Sequence, residues 1–177
     1  MALSEQEIIR REKLQNLRNL GINPYPANLF PVNHTSKQIK ETFEEGKKVI
    51  VAGRLMSVRD QGKACFAELQ DSEGRIQLYV NRDVLCEGDD KTLYNTVFKK
   101  LTDLGDFVGI EGELFTTQVG AQCVRVTGLT FLSKTLRPLP LPRVDTDGNV
   151  HDAFKDAELR YRMRYVDLTV NPQVKET

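Results

Sequence analysis

The chain has 177 residues, with 25 lysines and arginines balanced by 25 aspartates and glutamates. That length suits one good core, or one domain with appendages, and the 40% hydrophobic and 28% charged content is that of an ordinary soluble globular protein. A formal net charge of zero excludes a molecule drawn to nucleic acid by a positive field over its whole body, so any such surface must be a local basic patch.

Ser4-Glu5-Gln6-Glu7 fits a capping box, and a helix is predicted from there to about Leu20, stopped by Gly21 and Pro24. Its opening has no apolar leader core, and no run approaches the length of a membrane span. Leu14 and Leu17 share one face, while Arg11 and Arg18 lie together on roughly the opposite one. That basic side reads either as solvated surface or as a ridge for a phosphate backbone. Next comes a proline-interrupted loop, and Thr35 with Gln38 caps a short helix carrying Ile39 and Phe43 and closed by Gly46.

The pattern then changes to strands. Lys48 to Val58 is rich in β-branched and apolar residues, with Gly53 in its middle marking a bend or bulge, as in a strand that serves two sides of a barrel. Lys63 to Asp83 reads as a hairpin turned at Asp71-Ser72-Glu73-Gly74. Alternation places Cys65, Ala67, Leu69, Ile76, Leu78 and Val80 toward a core, and Phe66, Glu68, Gln70, Arg75, Gln77 and Tyr79 on the other side. Leu93, Tyr94, Val97, Phe98 and Leu101 have helical spacing, and two further strands, Phe107 to Phe115 and Gln122 to Leu132, flank a loop containing Gly120. Five strands with a helix after the third predict a mainly β fold: a small, partly open, five-stranded Greek-key OB-fold barrel with an N-terminal helix. A five-stranded meander capped by the helix would read almost the same. Pro138, Pro140 and Pro142 mark a linker, and a helical pattern on Leu159, Met163 and Val166 resumes after it. The expected division is a helical segment over 1–46, the barrel over 47–133, and a proline-rich linker with the start of a further domain over 134–177.

Few residues form a pattern suited to catalysis. There is no phosphate-cradling GxxxxGK[ST] or GxGxxG loop. His34 and His151 lack a neighbouring ligand set, so no metal site is expected, and no serine stands in a nucleophile-elbow context. Cys65, Cys86 and Cys123 are far apart and odd in number, and read as free thiols in a reducing compartment; the expected location is the cytoplasm. What remains is an aromatic ring on a polar sheet face. Phe66, with Gln77, Tyr79 and Arg75 beside it and Arg59 near the end of the first strand, offers a stacking platform, and the amide and guanidinium offer donors and acceptors for a base edge splayed out of a single strand. Alternation alone leaves open that Phe66 is covered by the N-terminal helix or a loop as part of a small satellite core.

Several stretches resemble the class II lysyl-tRNA synthetases of the bacterial type: RREKLQNLRNLGINPYP, AGRLMSVRDQGKACFAELQD, GRIQLYVNRD, LGDFVGIEGELF, SKTLRPLP and ELRYRMRYVDLTVNP, in that order over nearly the whole chain. SKTLRPLP and LRYRMRYVDL point to the lysine enzyme, whereas the strand motifs alone would also suit the aspartyl and asparaginyl relatives. The resemblance implies an anticodon-binding barrel in which Phe66 stacks on the central uridine of the lysine anticodon, Gln77 hydrogen-bonds the same base and Arg59 assists, with Arg10, Arg11 and Arg18 near the anticodon stem. Family members often carry Thr-Glu-Leu where this chain has Thr127-Gly128-Leu129, so the resemblance assigns no reader of the neighbouring base. It implies no catalytic residue, metal or cofactor in this stretch, which would be the N-terminal part of a longer enzyme. ATP and magnesium would serve a catalytic domain that also forms a homodimer, and a lysine tRNA would be the partner. Two rival expectations are a stand-alone single-strand-binding OB protein and a protein-interaction module whose contact surface is Tyr161, Met163, Tyr165 and Val166.

Overall fold

The structure, a computed structural model, describes residues 2–141, 143–144, 150–151, 154–171 and 174. The chain divides into two compact units, Met1–Arg137 and Pro138–Thr177.

In the first unit, helix α1 (Glu5–Asn19) begins at the expected capping box, with Ser4 Oγ accepting from the Glu7 amide and the Glu7 carboxylate accepting from the Ser4 amide. It ends where Gly21 adopts φ +75°, a left-handed conformation that costs a glycine little. Helix α2 (Ser36–Glu41) is capped by Thr35 and Gln38 in the same reciprocal way. Five strands come next: β1 (Lys48–Asp60), β2 (Ala64–Gln70), β3 (Arg75–Asn81), β4 (Phe107–Thr116) and β5 (Gln122–Ser133). A short helix α3 (Arg82–Leu85) and a π-helix (Leu93–Leu101) connect β3 to β4.

Three features correct the partly open, five-stranded Greek-key OB-fold barrel expected from the sequence. The five strands form a mixed sheet in the order β1-β2-β3-β5-β4, and β1 bonds to both β2 and β4, so the ladder runs round as a closed ring rather than a partly open one. The β3–β5 pairing that completes it is parallel. The single helix between the third and fourth strands is instead α3 followed by a π-helix, whose wider turn shows in the Thr102 amide donating to the Val97 carbonyl five residues back. A two-stranded sheet of β6 (Arg143–Val144) and β7 (Val150–His151) lies in the stretch read as linker.

Strand β1 can serve two neighbours because of two local devices. Residues 48–54 pair with β4 and residues 54–60 with β2. At Gly53, where they meet, a Cβ would stand 2.4 Å from the Gln70 carbonyl oxygen, so only glycine permits the approach. A bulge between Leu55 and Ser57 then inserts Met56, which is why Leu55 and Met56 are buried in succession. The bulge reverses the parity of the strand. Val49, Val51 and Leu55 face inward, but Ser57 and Arg59 beyond the bulge stand opposite Glu68 and Phe66 and are exposed.

The core gathers Val49, Val51, Leu69, Leu78, Val80, Ile110 and Val124 from the ring, joined by Tyr94 and Phe98 of the π-helix. A smaller cluster of Leu17, Val97, Leu101 and Phe131 fastens α1 to the π-helix and β5. Full burial of Leu17 alone contributes about 1.5–3 kcal/mol to that docking.

In the second unit the helical pattern breaks at Met163 into α4 (Ala157–Arg162) and α5 (Arg164–Val170). Leu159 is left 45% exposed, and the buried positions are Val170 and Asp167. The Asp167 carboxylate accepts from Asn171 Nδ2 at 2.7 Å, Arg160 Nε at 2.9 Å and Arg164 at 3.0 Å. Tyr161 and Tyr165 are exposed. Pro142, part of the proposed linker signal, lies outside the described residues.

Candidate nucleic-acid interface

The hairpin β2–β3 alternates as its sequence predicts. Cys65, Ala67, Leu69, Ile76, Leu78 and Val80 are buried, and Phe66, Glu68, Gln77 and Tyr79 are half-buried on the outer face. Cross-strand register extends this face around the ring. Arg59 stands opposite Phe66, Phe66 opposite Tyr79, Tyr79 beside Arg125 and Arg125 opposite Glu113, one row over five strands. The next row runs Ser57, Glu68, Gln77, Cys123, Phe115.

The rings touch. Phe66 and Tyr79 centroids lie 5.2 Å apart and Tyr79 and Phe115 5.5 Å, both tilted, and the Arg125 guanidinium lies 4.6 Å from the Phe115 centroid. Phe66 is therefore supported from one side by its neighbour rather than sealed. It borders a cavity of about 560 Å³ shared with Arg59, Gln77, Lys40 and Val119, within the range of volumes that hold small ligands.

Charge at this face is partly cancelled. Arg75 donates to Glu68 at 2.9 Å and to Gln70 at 2.9 Å, and Arg125 pairs with Glu113 at 2.8 Å. Arg59 is exposed and makes no hydrogen bond or ion pair among the described residues. Lys40, also exposed, joins the rim because the β2–β3 turn holds α2: Asp71 accepts from the Ser36 amide at 2.6 Å and from its hydroxyl at 2.7 Å while also accepting from the Glu73 and Gly74 amides. Val119, 90% exposed near the tip of the β4–β5 loop, lines the opposite wall. Sequence reasoning does not pick out Lys40, Val119 and Cys123, because they come from elements far along the chain and carry no local motif.

The first helix behaves differently from the ridge of Arg10, Arg11 and Arg18 expected there. Arg10 is buried and donates to the carbonyls of Thr135 at 3.0 Å and Leu104 at 3.1 Å, leaving its Nε without a partner. Arg11 donates to the Glu7 carbonyl one turn earlier, and Arg18 is exposed. Arg10 belongs to a charged knot. The Lys134 ammonium, fully buried, donates to Asp103 at 2.5 Å and Asp106 at 2.8 Å; Lys13 also reaches Asp103, and the Thr135 amide and Asp103 amide donate to Asp106. Burial pushes the Asp103 carboxyl up, but the hydrogen bonds and charges of Lys13 and Lys134 outweigh it and hold it below the ordinary aspartate value. At Asp106, deeper in the knot, burial prevails and the carboxyl is raised.

Gly128 stands opposite Glu111, next to a β5 bulge at Thr127. A Cβ there would meet the Glu111 Cβ at 3.3 Å and its carboxylate oxygen at 3.6 Å, so a neighbouring acidic side chain already leans over the glycine.

A ring of strands with an aromatic and polar outer face is the architecture of an oligonucleotide-binding domain, and residues 49–134 match the tRNA anti-codon family, described as an OB-fold nucleic acid binding domain. Over 98% of its length the chain is 67% identical to the lysine–tRNA ligase of Christiangramia forsetii, and over 99% it is 54% identical to that of Porphyromonas gingivalis. The corresponding enzyme of Azobacteroides pseudotrichonymphae is 52% identical over 98% of the chain. The chain spans about a third of the length of these curated relatives, 31%, 31% and 35% respectively. It belongs to the class II lysine–tRNA ligases and comprises their anticodon-binding region. No helix among the described residues is long and apolar enough to cross a membrane, and no group of three or more metal-ligating side chains occurs among them.

Proposed function

We propose that the outer face of β1, β2 and β3 reads the anticodon of a lysine tRNA, with Phe66 stacking on the central uridine, Gln77 testing its edge and Arg59 supplying a charged donor beside it. The observation that carries this reading is the convergence of the three side chains on one cavity, with Arg59 and Phe66 directly paired across the β1–β2 ladder. The half-buried ring gives back stacking that a splayed-out base loses, while its support from Tyr79 keeps it in place. A free guanidinium is available to a phosphate or base acceptor because no carboxylate of the face engages it. Arg18, which is exposed, and Arg11, which donates to the Glu7 carbonyl, lie about a quarter-turn round α1 from Arg10 and support a contact toward the stem; Arg10, buried and bonded to the Thr135 and Leu104 carbonyls, does not.

The whole protein would join lysine to tRNA with ATP and magnesium in a catalytic domain beyond this region, and would be a homodimer through that domain. Binding of a lysine-anticodon stem-loop to the chain tests the face directly. Phe66→Ala should lose on the order of 1–3 kcal/mol of affinity, and binding should weaken as salt rises. Equal affinity of the variant and the parent chain would show the stacking role to be wrong. Equal binding of uridine-rich and cytidine-rich loops by the parent would favour a single-strand binder with little sequence preference.

A further inference from the structure

We propose that Cys123 is a positioning residue for anticodon recognition: its thiol fixes the Gln77 amide so that the side chain meets a base with its N–H₂ group and not its oxygen. The inference rests on the reading of the β1–β3 face given above.

Cys123 occupies the same cross-strand row as Gln77, immediately beside it on β5. Its neighbours Val124 and Val126 point into the core, so alternation places Cys123 on the outer side of the sheet, yet it is fully buried. Its Sγ lies 2.9 Å from Gln77 Oε1. Burial pushes the thiol up to about 11, so the sulfur keeps its proton at neutral pH and acts as a donor. A protonated thiol donates to the amide oxygen more readily than its sulfur, a weak acceptor, receives an amide N–H₂, which favours one of the two orientations of the glutamine end group. The Gln77 N–H₂ makes no other side-chain hydrogen bond among the described residues, and Gln77 borders the cavity that also holds Phe66.

The chemical consequence is selectivity. A base that presents a carbonyl oxygen to Gln77, as the 4-position of uridine can, receives a hydrogen bond. Cytidine presents an amino group at that position and meets donor against donor. Without the thiol the amide can rotate by half a turn and accept from cytidine, so discrimination falls while stacking persists.

The test measures affinity for two anticodon stem-loops that differ only in a central uridine or cytidine, using the parent chain, Cys123→Ala, Cys123→Ser and Phe66→Ala. The uridine-to-cytidine preference should narrow roughly three- to tenfold in Cys123→Ala and be retained in Cys123→Ser, whose hydroxyl still donates. Cys123→Val, which fills the space without a donor, replaces the alanine variant should that one fail to fold. A purely structural cysteine would instead lower the melting temperature and weaken both loops equally. An unchanged preference in Cys123→Ala, alongside lost affinity in Phe66→Ala, overturns the role of the thiol alone. Full affinity in Phe66→Ala, or no preference in the parent chain, removes the face itself and the proposal with it.

Discussion

Arg10 and Arg59 carry the same group in opposite settings. At Arg10 the guanidinium is buried and its two terminal nitrogens are committed to the carbonyls of Thr135 and Leu104. At Arg59 it is exposed beside a cavity and uncommitted among the described residues. Around Arg10, Lys134 and Lys13 are paired with Asp103 and Asp106, while the Arg10 guanidinium itself is held by backbone carbonyls and by no carboxylate. Around Phe66, the paired charges Arg75–Glu68 and Arg125–Glu113 leave Arg59 and Lys40 unmatched. Positive charge holds the fold together where it is satisfied and is available to a ligand where it is not. The type of residue does not decide which.

The sharpest way to break this contrast is at the centre of the knot. Lys134→Ala leaves two carboxylates buried without their common partner and should cost about 3–5 kcal/mol of stability, measured by urea denaturation, while whatever remains folded binds the stem-loop normally. Asp103 gives a smaller effect with a pH signature. Its carboxyl is depressed in the folded chain, so its contribution is complete above the unfolded-state value and is lost as pH falls through the depressed one. Asp103→Asn should therefore lower stability by about 1.5–3 kcal/mol at neutral pH and flatten the acid side of the stability curve. The two arginines then sharpen the comparison directly. Arg10→Ala should destabilise by about 1–3 kcal/mol with the salt dependence of binding unchanged. Arg59→Ala should keep stability within about 0.5 kcal/mol and reduce the slope of log affinity against log salt by about 0.7–1. A reversal of that pair, with binding lost at Arg10 and stability lost at Arg59, would contradict the assignment of roles.

Much of this is legible in the chain. Capping boxes at Ser4 and Thr35 are local hydrogen-bond patterns, and both form. The period of two in the hairpin predicts which side of β2 and β3 carries Phe66 and Gln77, because a side chain's direction in a strand depends on parity alone. The helix is harder. Arg10 and Arg11 are neighbours in sequence and group together on that ground, but Arg10, Lys13 and Leu17 recur at intervals of three and four and therefore share the docked face. That spacing is the signal that separates Arg10 from the other two arginines. The Met56 bulge has no comparable signal, since Leu-Met-Ser reads as continuous strand, and the interior glycine draws attention to Gly53 instead. The helix after the third strand carries apolar residues that suit either an α- or a π-helix; the structure forms the wider turn, with Tyr94, Val97, Phe98 and Leu101 buried.

By itself, then, the sequence determined the local elements, the inward and outward faces of the hairpin and, through its motifs, the family. These depend on interactions within a few residues or on patterns that repeat along the chain. Only the tertiary structure decided which arginine was free, that the parity of β1 switches to bring Arg59 beside Phe66, and that a cysteine 46 residues beyond Gln77 lies within hydrogen-bond reach of its amide oxygen. Those outcomes depend on pairing between distant strands and on whether water reaches a charge, and neither is encoded at any single position.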